Sequence, residues 1–180
     1  MNVFFKTTFL IVLLGITHSS CDKIKSLADV KFESEFATNL NINIEPGIQK
    51  ASINGVFYAE ATIDPNADDE FAKYAEKIKE INIKSARIEI VSIDPSPIQL
   101  ITGELRFTTE SVSDAVWSYE DVSLEAGASL EMDESQWSKV NAILDKKSVF
   151  TVILSGQTDV EAGSFVAKVM VKSEIVANPL

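Results

Sequence analysis

The residues able to do chemistry are sparse. The 180-residue chain has one histidine, His18, and one cysteine, Cys21. Residues 22–180 therefore carry neither. That stretch has no Ser-His-Asp or Cys-His catalysis, no Cys/His zinc site, no haem ligation by His or Cys and no internal disulfide. It also lacks the usual general acid and base of neutral pH. A lysine-activated serine has no sharp elbow to sit on: Gly127-Ala128-Ser129-Leu130-Glu131 lacks the second glycine. No Gly-x-Gly-x-x-Gly or phosphate loop occurs, so nucleotide binding has no support. Catalytic residues and cofactors are accordingly expected to be none.

Three other constellations are present. The 27 acidic residues could supply the carboxylate pair of a glycosidase, but the polar faces offer many such pairs and single out none. Asp64, Asn66 and Asp68 place oxygen ligands at alternate positions, as calcium loops begin. Asp69 and Ala75 stand where the template needs Gly and Glu, and helix capping accounts for the same acids without a metal. Trp117 and Tyr119, two residues apart, with Tyr58 on an outward strand position, could present an aromatic surface to sugar rings. Trp117 could equally cover one end of the core.

The elements that must position these groups are mostly strands. Val30–Glu45 alternates Phe32, Ser34, Phe36, Thr38, Leu40, Ile42 and Ile44 against a polar face, the period of a half-buried strand. Pro46-Gly47 turns the chain into a second strand with Ile53, Gly55, Phe57, Ala59, Ala61 and Ile63 inward, predicting a hairpin. A short helix follows Asp64-Pro65, carrying Phe71, Tyr74, Ala75 and Ile78, with Asp64 or Asn66 as its cap.

Strand three, Ile81–Ile93, slips phase between Ile83 and Ile88, which predicts a bulge or a doubly buried strand. Past Asp94-Pro95-Ser96-Pro97, strand four places Ile101, Gly103, Leu105 and Phe107 inward and completes a second hairpin. Thr109–Tyr119 reads as a long connection and Val122–Met132 as strand five. Asp133 with Gln136 opens a second helix bearing Trp137, Val140 and Leu144. Val149–Ser155 and the alternation of Phe165, Ala167, Val169, Val171 and Ile175 complete the pattern. The expected fold is all-β: an antiparallel β-sandwich of immunoglobulin-like or Greek-key type, with about seven strands and two short helices. A flattened barrel is the alternative.

The amino end has a different logic. Lys6 precedes an apolar stretch, Phe9–Ile16, too short to span a bilayer, and small residues follow: a secretory signal. Ser19, Ser20 and Cys21 resemble the lipobox of bacterial lipoprotein precursors, with His18 where the strict form has an aliphatic residue. That resemblance, confined to the leader, implies acylation of Cys21 and an extracytoplasmic, lipid-anchored protein. Several acyl chains at about 0.8 kcal/mol per buried methylene would hold it stably. An ordinary cut near Ser19 or Ser20, leaving a free thiol, is the other reading. Asp22 matches the enterobacterial inner-membrane retention rule, which does not extend to all bacteria, and the outer membrane is favoured.

The expected organisation is residues 1–20 as signal peptide, 21–29 as tether and 30–180 as one domain. Removing the leader, with Lys6 and no acid, leaves 15 basic and 27 acidic groups, a net charge of −12. Nucleic acid is therefore not an expected partner. The expected function is a non-catalytic envelope binding or interaction module whose partners are the membrane, through Cys21, and an envelope protein or glycan. A carrier of an apolar ligand, lined by Phe32, Phe36, Phe57, Phe107 and Phe165, is the second reading, and a carboxylate-pair glycosidase a distant third.

Overall fold

Alternation decides the first and last strands. In the computed structural model, which describes residues 29–47 and 54–180, Phe32, Phe36, Leu40, Ile42 and Ile44 are all buried along β1 (Val30–Pro46), while Lys31, Glu33, Glu35, Asn39, Asn41 and Asn43 are exposed. β8 (Gly163–Ala177) runs antiparallel beside it, from Val30 opposite Ala177 to Ile44 opposite Gly163. The signal peptide, Cys21, most of the tether and Ile53 lie outside the described residues.

Between these two strands come β2 (Gly55–Ile63), β3 (Ile78–Asp94), β4 (Ile98–Thr109), β5 (Val112–Leu124), β6 (Ser129–Glu131) and β7 (Phe150–Thr158). They form one eight-stranded antiparallel sheet, ordered β5-β4-β7-β2-β1-β8-β3-β6. The described residues hold eight strands where about seven were expected. β1 and β2 pair as expected, with Glu45 opposite Val56 and Pro46 opposite Gly55. The sheet curls strongly, so that Phe57 of β2 meets Phe165 of β8 edge to face, ring centroids 5.4 Å apart. Apolar residues of β3, β4 and β7 close on the same interior.

Three expectations are corrected. β3 and β4 do not pair: β3 lies between β8 and β6, and β4 between β5 and β7, so Asp94–Pro97 is a crossing between distant parts of the sheet. The segment expected to be a connection, Thr109–Tyr119, supplies most of β5, with Ala115 and Trp117 buried in alternation. The run expected as a strand from Val122 breaks at Gly127, whose φ of +83° suits a turn, and resumes as the three-residue β6.

Phase slips shape the remaining strands. β3 shifts register against β8 between Ile83 and Ser85, within the slip visible in its sequence. β4 shifts against β7 between Leu100 and Thr102. Ile98 and Leu100 point inward before that shift and Gly103, Leu105 and Phe107 after it, while Ile101 is only half-buried. Beside it, Glu120 pairs with Thr102 and the next residue, Asp121, has a φ of +54°.

Two short helices pack on the curled sheet. α1 (Asp69–Tyr74) is capped by Asp68, whose Oδ1 accepts from the Phe71 N–H at 2.8 Å. It buries Phe71 edge-on to Phe36 at 5.3 Å and sets Tyr74 on Phe32 at 5.5 Å. α1 ends earlier than its apolar spacing suggests, and Ile78 opens β3. α2 (Trp137–Leu144) buries Val140, Ile143 and Leu144 and contacts β3, β4 and β5. Asp133 caps the single 3-10 turn, Glu134–Gln136, that leads into it. Among the described residues, no helix is long and apolar enough to cross a membrane.

Candidate functional site

Strand alternation and register together build one polar face. On β2, β7, β4 and β5 the residues between the core positions turn outward and line up in rows across the four strands. Tyr58 is opposite Ser155, Ser155 opposite Glu104, and Glu104 opposite Ser118. One row along lie Val56, Gln157, Thr102 and Glu120, and in the other direction Glu60, Ile153, Arg106 and Val116. Small side chains at Ser155, Thr102 and Ser118 leave the middle of the face low.

The result is a trough of about 500 Å³, floored by Gly103 and Gly156, with Glu104, Glu120, Ser118, Ser155, Thr102 and Gln157 around it. These two glycines are cross-strand partners, and a Cβ at 156 would run into the Thr102 carbonyl oxygen. A second hollow of about 390 Å³ adjoins it, lined by Asn41, Asn43, Glu45 and Tyr58; Val56 and Phe57 border both. Tyr58 is 61% exposed, the most exposed aromatic ring on this surface. Its hydroxyl donates to Glu60 Oε2 at 2.7 Å, and that bond, with the Glu60 charge, raises the phenol above its ordinary range.

Arg106 is the basic residue on the rows. It donates to Glu104 Oε1 from Nη2 at 2.6 Å and from Nε at 3.2 Å, and to Asp114 Oδ2 from Nη1 at 3.2 Å. The Glu104 hydrogen bond is the main reason its guanidinium is held above its ordinary range. Its charge is thus spent on its own neighbours.

The three aromatics picked out from the sequence separate. Tyr58 lines the adjoining hollow. Tyr119 is half-buried, and its ring borders both the trough and the interior. Its hydroxyl is buried without a partner among the described residues, and burial, helped by Asp133 and Glu131, pushes it up to about 12. Trp117 is not part of the surface: it is 4% exposed, lies edge-on to Phe107 at 5.3 Å, and donates from Nε1 to the Asp133 carbonyl at 3.1 Å.

Asp64, Asn66 and Asp68 are engaged in local hydrogen bonds, the Asn66 Nδ2 donating to Asp64 Oδ1 at 3.3 Å. Asp64 Oδ1 accepts from the Asn66 N–H at 2.9 Å, Asn66 Nδ2 donates to the Lys147 carbonyl at 2.8 Å, and Asp68 caps α1. Backbone N–H groups therefore take one oxygen each of Asp64 and Asp68. Among the described residues, no group of three or more His, Cys, Asp or Glu is placed to hold a metal ion.

Phe32, Phe36, Phe57, Phe107 and Phe165 are all buried, and the hollow lined by Phe57, Ile88, Leu100, Tyr119, Leu154 and Phe165 is about 10 Å³. That is about the space of one water-sized sphere. On the outer face of β1, β8 and β3, a hollow of about 360 Å³ is lined by Glu33, Ser34, Glu35, Lys84, Lys172 and Ser173, of which Lys172 pairs with Glu35 at 3.3 Å and Lys84 reaches Glu174 at 3.5 Å.

No family model and no curated protein matches the chain. Among solved structures, the decameric BFDV capsid protein is similar with a TM-score of 0.46 and 10% identity, over 81% of this chain and 99% of that one.

Proposed function

We propose that the protein is a non-catalytic binding module, held at a bacterial cell envelope by lipid on Cys21, and that it recognises its partner through the outer face of β2, β7, β4 and β5. The observation that carries this reading is the trough itself. An open hollow of about 500 Å³, walled by hydroxyl, amide and carboxylate groups and flanked by the exposed ring of Tyr58, has the size and polar placement of a recognition site. The interior gives no comparable support to an apolar-ligand carrier, because its hollow of about 10 Å³ falls far below ligand-sized cavities.

The strand order supports a Greek-key sandwich of jelly-roll type, its two sheets being β1-β8-β3-β6 and β2-β7-β4-β5, bridged where β1 meets β2. It does not follow the strand order of an immunoglobulin domain. The same topology bears on presentation. β1 starts at Val30, beside the ion pair of Asp29 with Lys79 at 2.7 Å, and Glu45 lies fifteen residues on, roughly 50 Å of strand. A lipid on Cys21 would leave the Glu45 and Val56 end turned away from the membrane.

In-cell photo-crosslinking tests the reading. A benzophenone amino acid at Ser118, beside the trough, is expected to capture envelope material, and the same group at exposed Glu35 on the opposite face is not. Equal capture at both positions, or capture at position 35 alone, would overturn it.

A further inference from the structure

We propose that the ligand of this trough is a neutral, hydroxyl-rich chain, an oligosaccharide, lying across β5, β4, β7 and β2 with one ring against Tyr58; this rests on the trough being the binding face. The lining selects the chemistry. Ser118, Ser155, Thr102 and Gln157 offer both donors and acceptors, and Glu104 and Glu120 offer acceptors, within one hollow. A chain that alternates hydroxyls with acceptor oxygens satisfies such a lining, whereas an apolar chain would leave it unpaired.

Charge removes the anionic alternatives. Arg106 is held by Glu104 and Asp114, and the trough itself is lined by two glutamates and no basic residue. A phosphate, sulfate or uronate chain would therefore meet repulsion with no free cation to offset it. Geometry supplies the length. Four strands at about 4.8 Å spacing span roughly 14 Å, so the rows suit several consecutive units of a chain and exceed a single small molecule.

Tyr58 provides the apolar contact that a polyol needs. A sugar ring has one face of C–H groups, and an exposed phenol presents a flat surface for it while its hydroxyl stays bonded to Glu60. The ring, not the hydroxyl, is the recognition element, so Tyr58→Phe should bind as the native chain does.

The test is titration calorimetry of the mature protein, purified in detergent, against a panel of neutral oligosaccharides, with hexalysine as the cationic comparison. At least one saccharide should bind, about tenfold more weakly to Tyr58→Ala, a change of about 1.4 kcal/mol, and unchanged to Tyr58→Phe. Exchanging low salt for about 0.5 M salt should leave that affinity nearly constant, because no ion pair is involved. Ser155→Trp, which fills the trough, should abolish binding, and circular dichroism of Tyr58→Ala shows whether the fold is kept. Salt-sensitive binding of hexalysine with no saccharide bound would overturn the ligand class and leave the face intact. Saccharide binding unaffected by both Tyr58→Ala and Ser155→Trp would overturn the face as well.

Discussion

The floor of the trough offers a prediction in which two physical effects have opposite sign. Glycine within a strand is disfavoured, so Gly156→Ala should by propensity gain about 0.5–1 kcal/mol. Contact says the reverse. A methyl group at 156 would press on the Thr102 carbonyl oxygen, with Phe57 Cζ at 2.9 Å and Gly103 Cα at 3.0 Å. Two of these three are backbone atoms of the paired strand β4, which cannot rotate away. Overpacking typically costs about 1–3 kcal/mol, and two backbone obstacles place this case at about 2–3, so the net expectation is a loss of about 1–2.5 kcal/mol. At a urea slope of about 2 kcal/mol per molar, the unfolding midpoint should fall by roughly 0.5–1.25 M.

Its neighbours calibrate the result. At Gly103 the nearest obstacle is Leu100 Cδ2 at 2.7 Å, the end of a flexible side chain, so Gly103→Ala should cost less than Gly156→Ala. Gly127 meets nothing within 4 Å, but its φ of +83° makes alanine there cost about 1–2 kcal/mol through the backbone alone. Urea unfolding followed by tryptophan fluorescence measures all three. A Gly156→Ala midpoint equal to or above that of the native chain would refute the close approach of β4 and β7 beneath the trough.

Other consequences follow from packing and burial. Phe71→Ala should lose about 3–5 kcal/mol, because Phe71 is fully buried and is the one buried residue of α1; exposed Lys73→Ala on the same helix should change stability by no more than about 0.5 kcal/mol. Denaturant midpoints of the pair check this. Trp117→Phe keeps a ring on Phe107 but loses the bond to the Asp133 carbonyl, a cost of about 1 kcal/mol by the same assay. Tyr119 is held protonated in the fold up to about 12, above its ordinary 10.0, so its contribution is fully present below pH 10 and is lost as pH rises through about 12. Unfolding across that window should show a shallower alkaline loss in Tyr119→Phe.

Much of the fold was legible because the longest strands alternate cleanly. β1 and β8 could be read residue by residue, and the slip in β3 marked a real register shift. β5 was hidden because Asp114, Ser118 and Glu120 make its outer positions as polar as a loop, although Ala115, Trp117 and Tyr119 keep period two. Gly127 was the missed signal in the opposite direction, since the apolar alternation from Leu124 to Met132 runs straight through a turn. The supposed β3–β4 hairpin failed because chain neighbours here belong to separate parts of the sheet.

Of the candidate face, the sequence singled out Tyr58, on the adjoining hollow, and Tyr119, whose ring borders the trough. Tyr58 could be placed outward from the phase of β2, but Ser155, Glu104 and Ser118 become its neighbours only through the lateral order β2-β7-β4-β5, which no local pattern encodes. Trp117 attracted attention through its spacing from Tyr119. Its own alternation with Ala115 was the clue that it faces the core.

The measurement that bears most directly on an envelope-tethered binding domain is the intact mass of the protein from the membrane fraction, native against Cys21→Ser. A mature chain beginning at Cys21 with added acyl mass, absent from the variant along with membrane retention, is the predicted result. An unacylated chain cut at another position, released equally in both, would contradict it and leave a secreted domain with a free or missing thiol.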